Sequence, residues 1–205
     1  MSISREKYMS AEELNKLRAV CRDRATEDIL KGRQGNVRLW MLIDLVTTSG
    51  LRVCELAKLN VGDYFGQSNR PYILVSSAKK RKVEKEPVPL SQDVVSHIEE
   101  YLRWRDLNGE TLTPDAPLLT SERRKRYKII SLQKAFYKAC ANAGLKYSIH
   151  SARHTLGFHL LRTTKNLKLV QKQLRHASPV ITANFYADVS FEEQQEAING
   201  LFKAS

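Results

Sequence analysis

Apolar positions recur at helical spacing along most of the chain, with one interruption. Ser10-Ala11-Glu12-Glu13 has the form of a capping box, and Leu14, Leu17 and Val20 or Cys21 follow at intervals of three and four. That spacing predicts a helix starting at this box. Residues 37–46 are apolar nearly all round (Leu39, Trp40, Met41, Leu42, Ile43, Leu45), the pattern of a buried central helix. Ser49-Gly50 breaks it, and a short helix is predicted over 51–59. Further helices are predicted over 91–107, on Val94, Val95, Ile98, Tyr101 and Leu102, and over 131–143, with Gly144 as the stop. The last third predicts helices near 150–162, 166–175, 179–187 and 191–202, the final one opened by a second capping box of Ser190 and Glu193.

The interruption lies between Pro71 and Leu90. "PYILVSS" and "KEPVPL" are strand-like, and the basic stretch 79–85 joins them as a hairpin. Pro87 and Pro89 confine the second strand to a sheet edge, since proline cannot donate to a ladder. The expected class is therefore α+β, predominantly α-helical with a small antiparallel β-sheet. No internal repeat or low-complexity linker divides the chain, which reads as a single domain over 1–205.

Composition narrows the function. At 205 residues, 42% hydrophobic and 27% charged, the chain is of ordinary globular type. Met1 to Ser10 is polar, without the apolar core of a secretory signal, and no apolar run approaches the roughly 20 residues of a membrane span. A cytoplasmic location is expected. Three widely spaced cysteines (Cys21, Cys54, Cys140) read as reduced core thiols rather than a disulfide framework. The informative number is 34 Lys+Arg against 22 Asp+Glu, a net charge of +12. Such a field suits a polyanionic partner, most often nucleic acid, with an anionic membrane surface or a ribosome as alternatives that charge alone does not separate.

"SIHSARHT", residues 148–155, carries two histidines around an arginine. His150 and His154 have the separation of zinc-binding helices, but Ser151 stands where that motif needs a glutamate, and no cysteine pair or carboxylate cluster lies nearby. No metal site is expected. His150 and Arg153, three apart, instead share one helical turn, and the planar fork of arginine suits a phosphate. For an isolated pair, a solvated helix face is the plainer reading.

Three other features bear on the choice. In "TTSGLRVCELAKL", Arg52 sits just past a glycine break at the first turn of a helix, where the dipole disfavours a cation. A surface arginine shielding Glu55 is the alternative there. In "LRHASPVITANFYADV", His176 closes one helix and Tyr186 follows ten residues later, with Phe185 free to take the core position. Lys79-Lys80-Arg81-Lys82 lies between the two strands, either as part of a site or as a solvated turn.

In this order and combination, these motifs resemble the catalytic domain of tyrosine recombinases, the phage-integrase-like site-specific DNA recombinases, over nearly the whole chain. The resemblance implies that family's DNA breaking-rejoining fold and a metal-free, cofactor-free transesterification. Tyr186 would be the nucleophile, forming a 3′-phosphotyrosine. Arg52 and Arg153 would hold the non-bridging oxygens, and Lys79 would protonate the leaving 5′-oxygen, with Lys80 and Lys82 as rivals because the hairpin is longer than usual. His150 would assist proton transfer at the tyrosine, His176 would hydrogen-bond the phosphate, and Glu55 would brace the site. His154 is left without a role. The chain departs from the family in having Ala152 where leucine is usual, and Arg175 where glycine precedes the second histidine.

The resemblance also implies double-stranded DNA as partner, a tetramer on DNA, a possible DNA-bending accessory protein, and a nucleoid location. The family's separate N-terminal core-binding domain has no counterpart among the roughly ten residues before the first helix. Lys80, Arg81 and Lys82, together with Arg123-Arg124-Lys125-Arg126, are candidate DNA contacts, with solvated loops as the alternative. The last helix, apolar at Ile198, Leu201 and Phe202, would pack on a neighbouring protomer or on its own domain. A type IB topoisomerase shares this chemistry but rejoins the original ends; a DNA-binding regulator that keeps the fold is the reading from another class.

Overall fold

A computed structural model describes residues 8–76, 85–176 and 195. The hairpin tip with Lys79, Lys80, Arg81 and Lys82 lies outside them, as do Tyr186, the Ser190–Glu193 capping box and the apolar positions of the last helix.

The first helix, α1 (Ala11–Leu30), starts as expected: Ser10 Oγ accepts from the Glu13 main-chain N–H at 3.1 Å, and Glu13 Oε2 accepts from that of Ser10 at 2.8 Å. Tyr147 donates to Glu13 at 3.0 Å and ties this helix start to the chain far downstream. Helix α2 (Gly35–Ser49) is the central helix the sequence announced, packed against α1 and three later helices. It is not purely apolar, however. Arg38 and Asp44 are 1% and 2% exposed, and both are paired. Asp44 meets Arg18 at 2.5 Å and His97 at 2.6 Å, while Arg38 and Arg105 enclose the carboxylate of Glu110. Charges buried this deeply persist only when partnered.

After Gly50 the chain enters α3 (Val53–Leu56), a single turn where the sequence predicts a longer helix over 51–59. A short 3-10 turn (Val61–Asp63) and a two-residue strand β1 (Tyr64–Phe65), not anticipated from the sequence, lead into β2 (Tyr72–Ser76) and β3 (Lys85–Pro89). The sheet is antiparallel in the order β1-β2-β3, with Ile73 opposite Val88 and Ser76 opposite Lys85. Ile73, Val75 and Val88 face the core, and the proline-bearing β3 lies at the edge, as expected. Lys85 pairs with Asp63 and so fixes the base of the hairpin to the 3-10 turn.

Helices α4 (Gln92–Leu107), α5 (Ile129–Asn142), α6 (Ile149–Thr164) and α7 (Leu167–Leu174) complete the described fold, each within two residues of its predicted bounds. One core joins α1, α2, the sheet, α4, α5 and the start of α6; a smaller cluster of Leu161, Val170 and Leu174 joins α6 to α7. Cys21 and Cys140 are buried in the main core, where desolvation pushes their thiols up to about 12 and about 11. Cys54 is only half-buried and is not a core residue. No helix among the described residues is long and apolar enough to cross a membrane.

Candidate active site

The site forms where three helix ends meet. Gly50 ends α2 at φ 67° and ψ 21°, a left-handed conformation natural to glycine. A Cβ there would lie 2.8 Å from Leu174 and 2.9 Å from Leu156, so α6 and α7 close directly onto this turn. Two residues later Arg52 occupies the N-cap of α3 in extended conformation.

Arg153 reaches the same point from α6. Only 7% exposed, it donates from Nη1 to the Gly50 carbonyl and from Nη2 to the Leu174 carbonyl. Those oxygens stand at the C-terminal ends of α2 and α7, which carry unsatisfied acceptors and the negative pole of each helix dipole. Two main-chain carbonyls thus hold the buried guanidinium, and the nearby Glu55 carboxylate further favours its charge. Burial, then the neighbouring Arg52 and Arg175, pull its pKa down to about 9, which leaves it cationic at neutral pH.

Arg52 is held by a carboxylate and a carbonyl. Its Nη1 donates to Glu55 Oε1 at 2.9 Å and its Nη2 to the Arg175 carbonyl at 3.0 Å. Glu55 Oε2 in turn accepts from the Arg52 main-chain N–H at 2.6 Å, closing the first turn of α3. The dipole objection to a cation here is answered by that buried carboxylate at N3. Arg52 does pair with Glu55, as a surface arginine would. Yet the Glu55 side chain is 2% exposed and that of Arg52 34%, so the pair is a fixed feature with one open side. Among the described residues, Arg52 uses two of its five N–H donors on protein, which leaves donors for a ligand.

His176 follows Arg175, the C-cap of α7, and is half-buried; its main-chain N–H donates to the Gln171 carbonyl at 3.1 Å. Its pKa is lowered to about 4, first by burial and then by Arg153, Arg52, His154 and Arg175. At neutral pH the ring is uncharged, with one nitrogen able to donate and the other to accept. Arg52, Arg153 and His176, expected to act together, are therefore brought together from α3, α6 and the end of α7.

His150 lies on the same helix as Arg153 but on its exposed side, in a recess shared with Lys134 and Tyr137. Lys79 and Tyr186 fall outside the described residues. Arg123, Arg124 and Lys125 are exposed on a turn closed by the Thr120–Arg126 bridge. Arg126 holds that turn in place, donating to the Leu59 carbonyl at 3.1 Å and to Asn60 at 2.7 Å just beyond α3. Among the described residues no group of three or more His, Cys, Asp or Glu side chains is arranged to hold a metal ion.

Two contributors went unassigned in the sequence. His154 lies close enough to depress the His176 pKa. Arg175 adds a third guanidinium, 2.6 Å from Glu55 Oε2. Its signal in the sequence is the replacement of the family's glycine, which marks the position without revealing where the side chain goes. Three guanidinium groups around one carboxylate leave the site strongly positive, suited to a phosphate and to the further negative charge of a phosphoryl-transfer transition state.

Known proteins share this chain's sequence pattern and its fold. A family model described as the phage integrase family matches residues 7–193. Tyrosine recombinase XerC of Proteus mirabilis is 29% identical over 159 residues, covering 77% of this chain and 49% of that protein. Tyrosine recombinase XerA of Pyrococcus furiosus is 28% identical over 166 residues, covering 79% and 54%. The chain thus spans about half the length of these curated relatives. Among solved structures, XerA recombinase matches with a TM-score of 0.73 at 24% identity, over 97% of this chain and 66% of that one. XerH recombinase, solved in a post-cleavage complex with a palindromic difH substrate, matches with a TM-score of 0.71 at 22% identity, over 95% and 52%. The α+β fold expected from the sequence is the one these structures share.

Proposed function

The chain belongs to the phage integrase family, and on that premise we propose that it is a site-specific DNA recombinase that cuts and rejoins strands through a tyrosine. The Tyr186 oxygen attacks a backbone phosphorus as the bond from phosphorus to the 5′-oxygen breaks, giving a 3′-phosphotyrosine and a free 5′-hydroxyl. The covalent link conserves the broken phosphodiester for rejoining by another strand's 5′-hydroxyl. Lys79 gives the leaving oxygen its proton, and neighbouring cations ease that transfer. His150 assists removal of the tyrosine proton. Arg52 and Arg153 bind the non-bridging oxygens and offset the charge gathering there, and His176 donates a hydrogen bond to the phosphate.

The observation that carries this reading is the convergence of Arg52 and Arg153, from positions about a hundred residues apart, on one point where main-chain carbonyls and Glu55 fix both guanidinium groups. Duplex DNA is the partner that fits this site and the surplus of basic residues. Assembly of four protomers on paired sites, an accessory protein that bends the DNA, and residence at the nucleoid belong to the same proposal.

The test is an SDS-resistant protein–DNA adduct on nicked duplexes taken from the flanks of the gene, formed in EDTA. The wild type is expected to form it and Tyr186→Phe to lack it. Gel-shift binding without any adduct would speak for a DNA-binding regulator instead.

A further inference from the structure

Helix α7 ends in a tight reversal: the Arg175 N–H returns to the Lys172 carbonyl and that of His176 to the Gln171 carbonyl, both at 3.1 Å. Arg175 sits at φ 51° and ψ 47°, the left-handed position of this turn that glycine fills without strain. Its side chain does not swing out into solvent and is 10% exposed. Nη2 donates to Glu55 Oε2 at 2.6 Å and Nη1 to the Gln173 carbonyl at 3.2 Å. The Arg175 carbonyl accepts from Arg52 Nη2 at 3.0 Å. One residue therefore grips both halves of the Arg52–Glu55 pair, the carboxylate through its side chain and the guanidinium through its main chain.

We propose that Arg175 is a positioning residue of the anion site: its side chain locks Glu55, and through Glu55 it sets the plane in which Arg52 presents its remaining donors to a phosphate. The proposal rests on the phosphodiester reading of the site and deepens it. The Arg52 side chain is a third exposed, and its hydrogen bonds among the described residues are made at the guanidinium tip. If Glu55 were free to turn about its side-chain torsions, the guanidinium plane would turn with it, and two-point recognition of a phosphate depends on that plane. The lock also couples the residue before His176 to the turn bearing Arg52, so the groups from α3 and from the end of α7 keep one relative placement. Glycine at this position would suit the turn at least as well, yet would remove the contact to Glu55 from α7 and leave, among the described residues, only the Arg52 main-chain N–H and Nη1 on that carboxylate.

The experiment uses the full chain, inorganic phosphate as ligand, and the nitrogen-15 resonances of arginine side chains at low temperature. In the wild type, Arg52 is expected to show slow guanidinium rotation and to shift on phosphate addition. Arg175→Gly is expected to average the Arg52 signals and to weaken phosphate binding about tenfold, while core amide signals stay in place. Arg175→Lys, which keeps the charge but not the fork, should recover part of the affinity. With Glu55→Gln already present, Arg175→Gly should add little further loss. Unchanged Arg52 signals and phosphate affinity in Arg175→Gly would overturn the proposal, as would a wild type that binds no phosphate or a full loss on top of Glu55→Gln. Failure of the recombinase reading shows separately, as phosphate binding without any covalent DNA adduct.

Discussion

At His176 burial and then the local cations act in the same direction, holding the ring's pKa at about 4 against an ordinary 6.5. Between those values the unfolded chain takes up a proton that the folded one does not, so stability falls as pH drops from about 6.5 towards 4 and returns as pH rises. Proton NMR should place the His176 midpoint near 4, and bound phosphate should raise it. In urea, His176→Gln should lose less stability than the wild type over the same pH interval. At this scale the sequence was most informative where the combined motifs resemble a known family, as at Arg52, Arg153 and His176; taken singly, chemistry and spacing left a solvated surface residue as the alternative for Arg52 and Arg153. It was silent on Arg38 and Asp44, because periodicity registers a charged residue in an apolar stretch as an exception, not as a member of a buried pair. Arg175 shows a different limit: a backbone departure was visible, but the Glu55 contact spans 120 positions and no local pattern encodes it.

Elements place these residues through close approach. Gly157 on α6 faces α7 so tightly that a Cβ would lie 2.8 Å from Leu174 Cδ1. Gly157→Ala should therefore push α7 away, costing about 1–3 kcal/mol in chemical denaturation. It should also draw the Leu174 carbonyl from Arg153, so phosphate affinity falls with stability. A variant that lost stability at full phosphate affinity would refute the role assigned to the α7 terminus. Long periodic helices were legible, as were the Ser10 capping box and the edge position of the strand carrying Pro87 and Pro89. The shortness of α3 and the existence of β1 were not: Leu51 and Leu59 are buried by tertiary packing rather than by continuing a helix, and a two-residue strand carries no period to detect.

For the whole molecule the governing quantity is the net charge of +12. Binding to a nonspecific duplex should weaken at least about a hundredfold between roughly 50 and 200 mM salt, with a linear log–log slope, because each phosphate contact releases counterions. A flat response would remove electrostatics as the source of affinity. Neutralising Arg123, Arg124 and Lys125 together should lower that slope, whereas Arg126→Ala should also reduce stability, since its guanidinium fastens the loop beside α3.

In the proposed reaction, a guanidinium cradle built from Gly50, Arg52, Glu55, Arg153 and the end of α7 serves tyrosine attack on a DNA phosphodiester. The most direct measurement is mass spectrometry of the proteolysed covalent adduct. One modified peptide is expected, with a nucleotide 3′-phosphate on the Tyr186 oxygen, and it should disappear in Arg153→Ala. A link at any other residue, or through a 5′-phosphate, would contradict it.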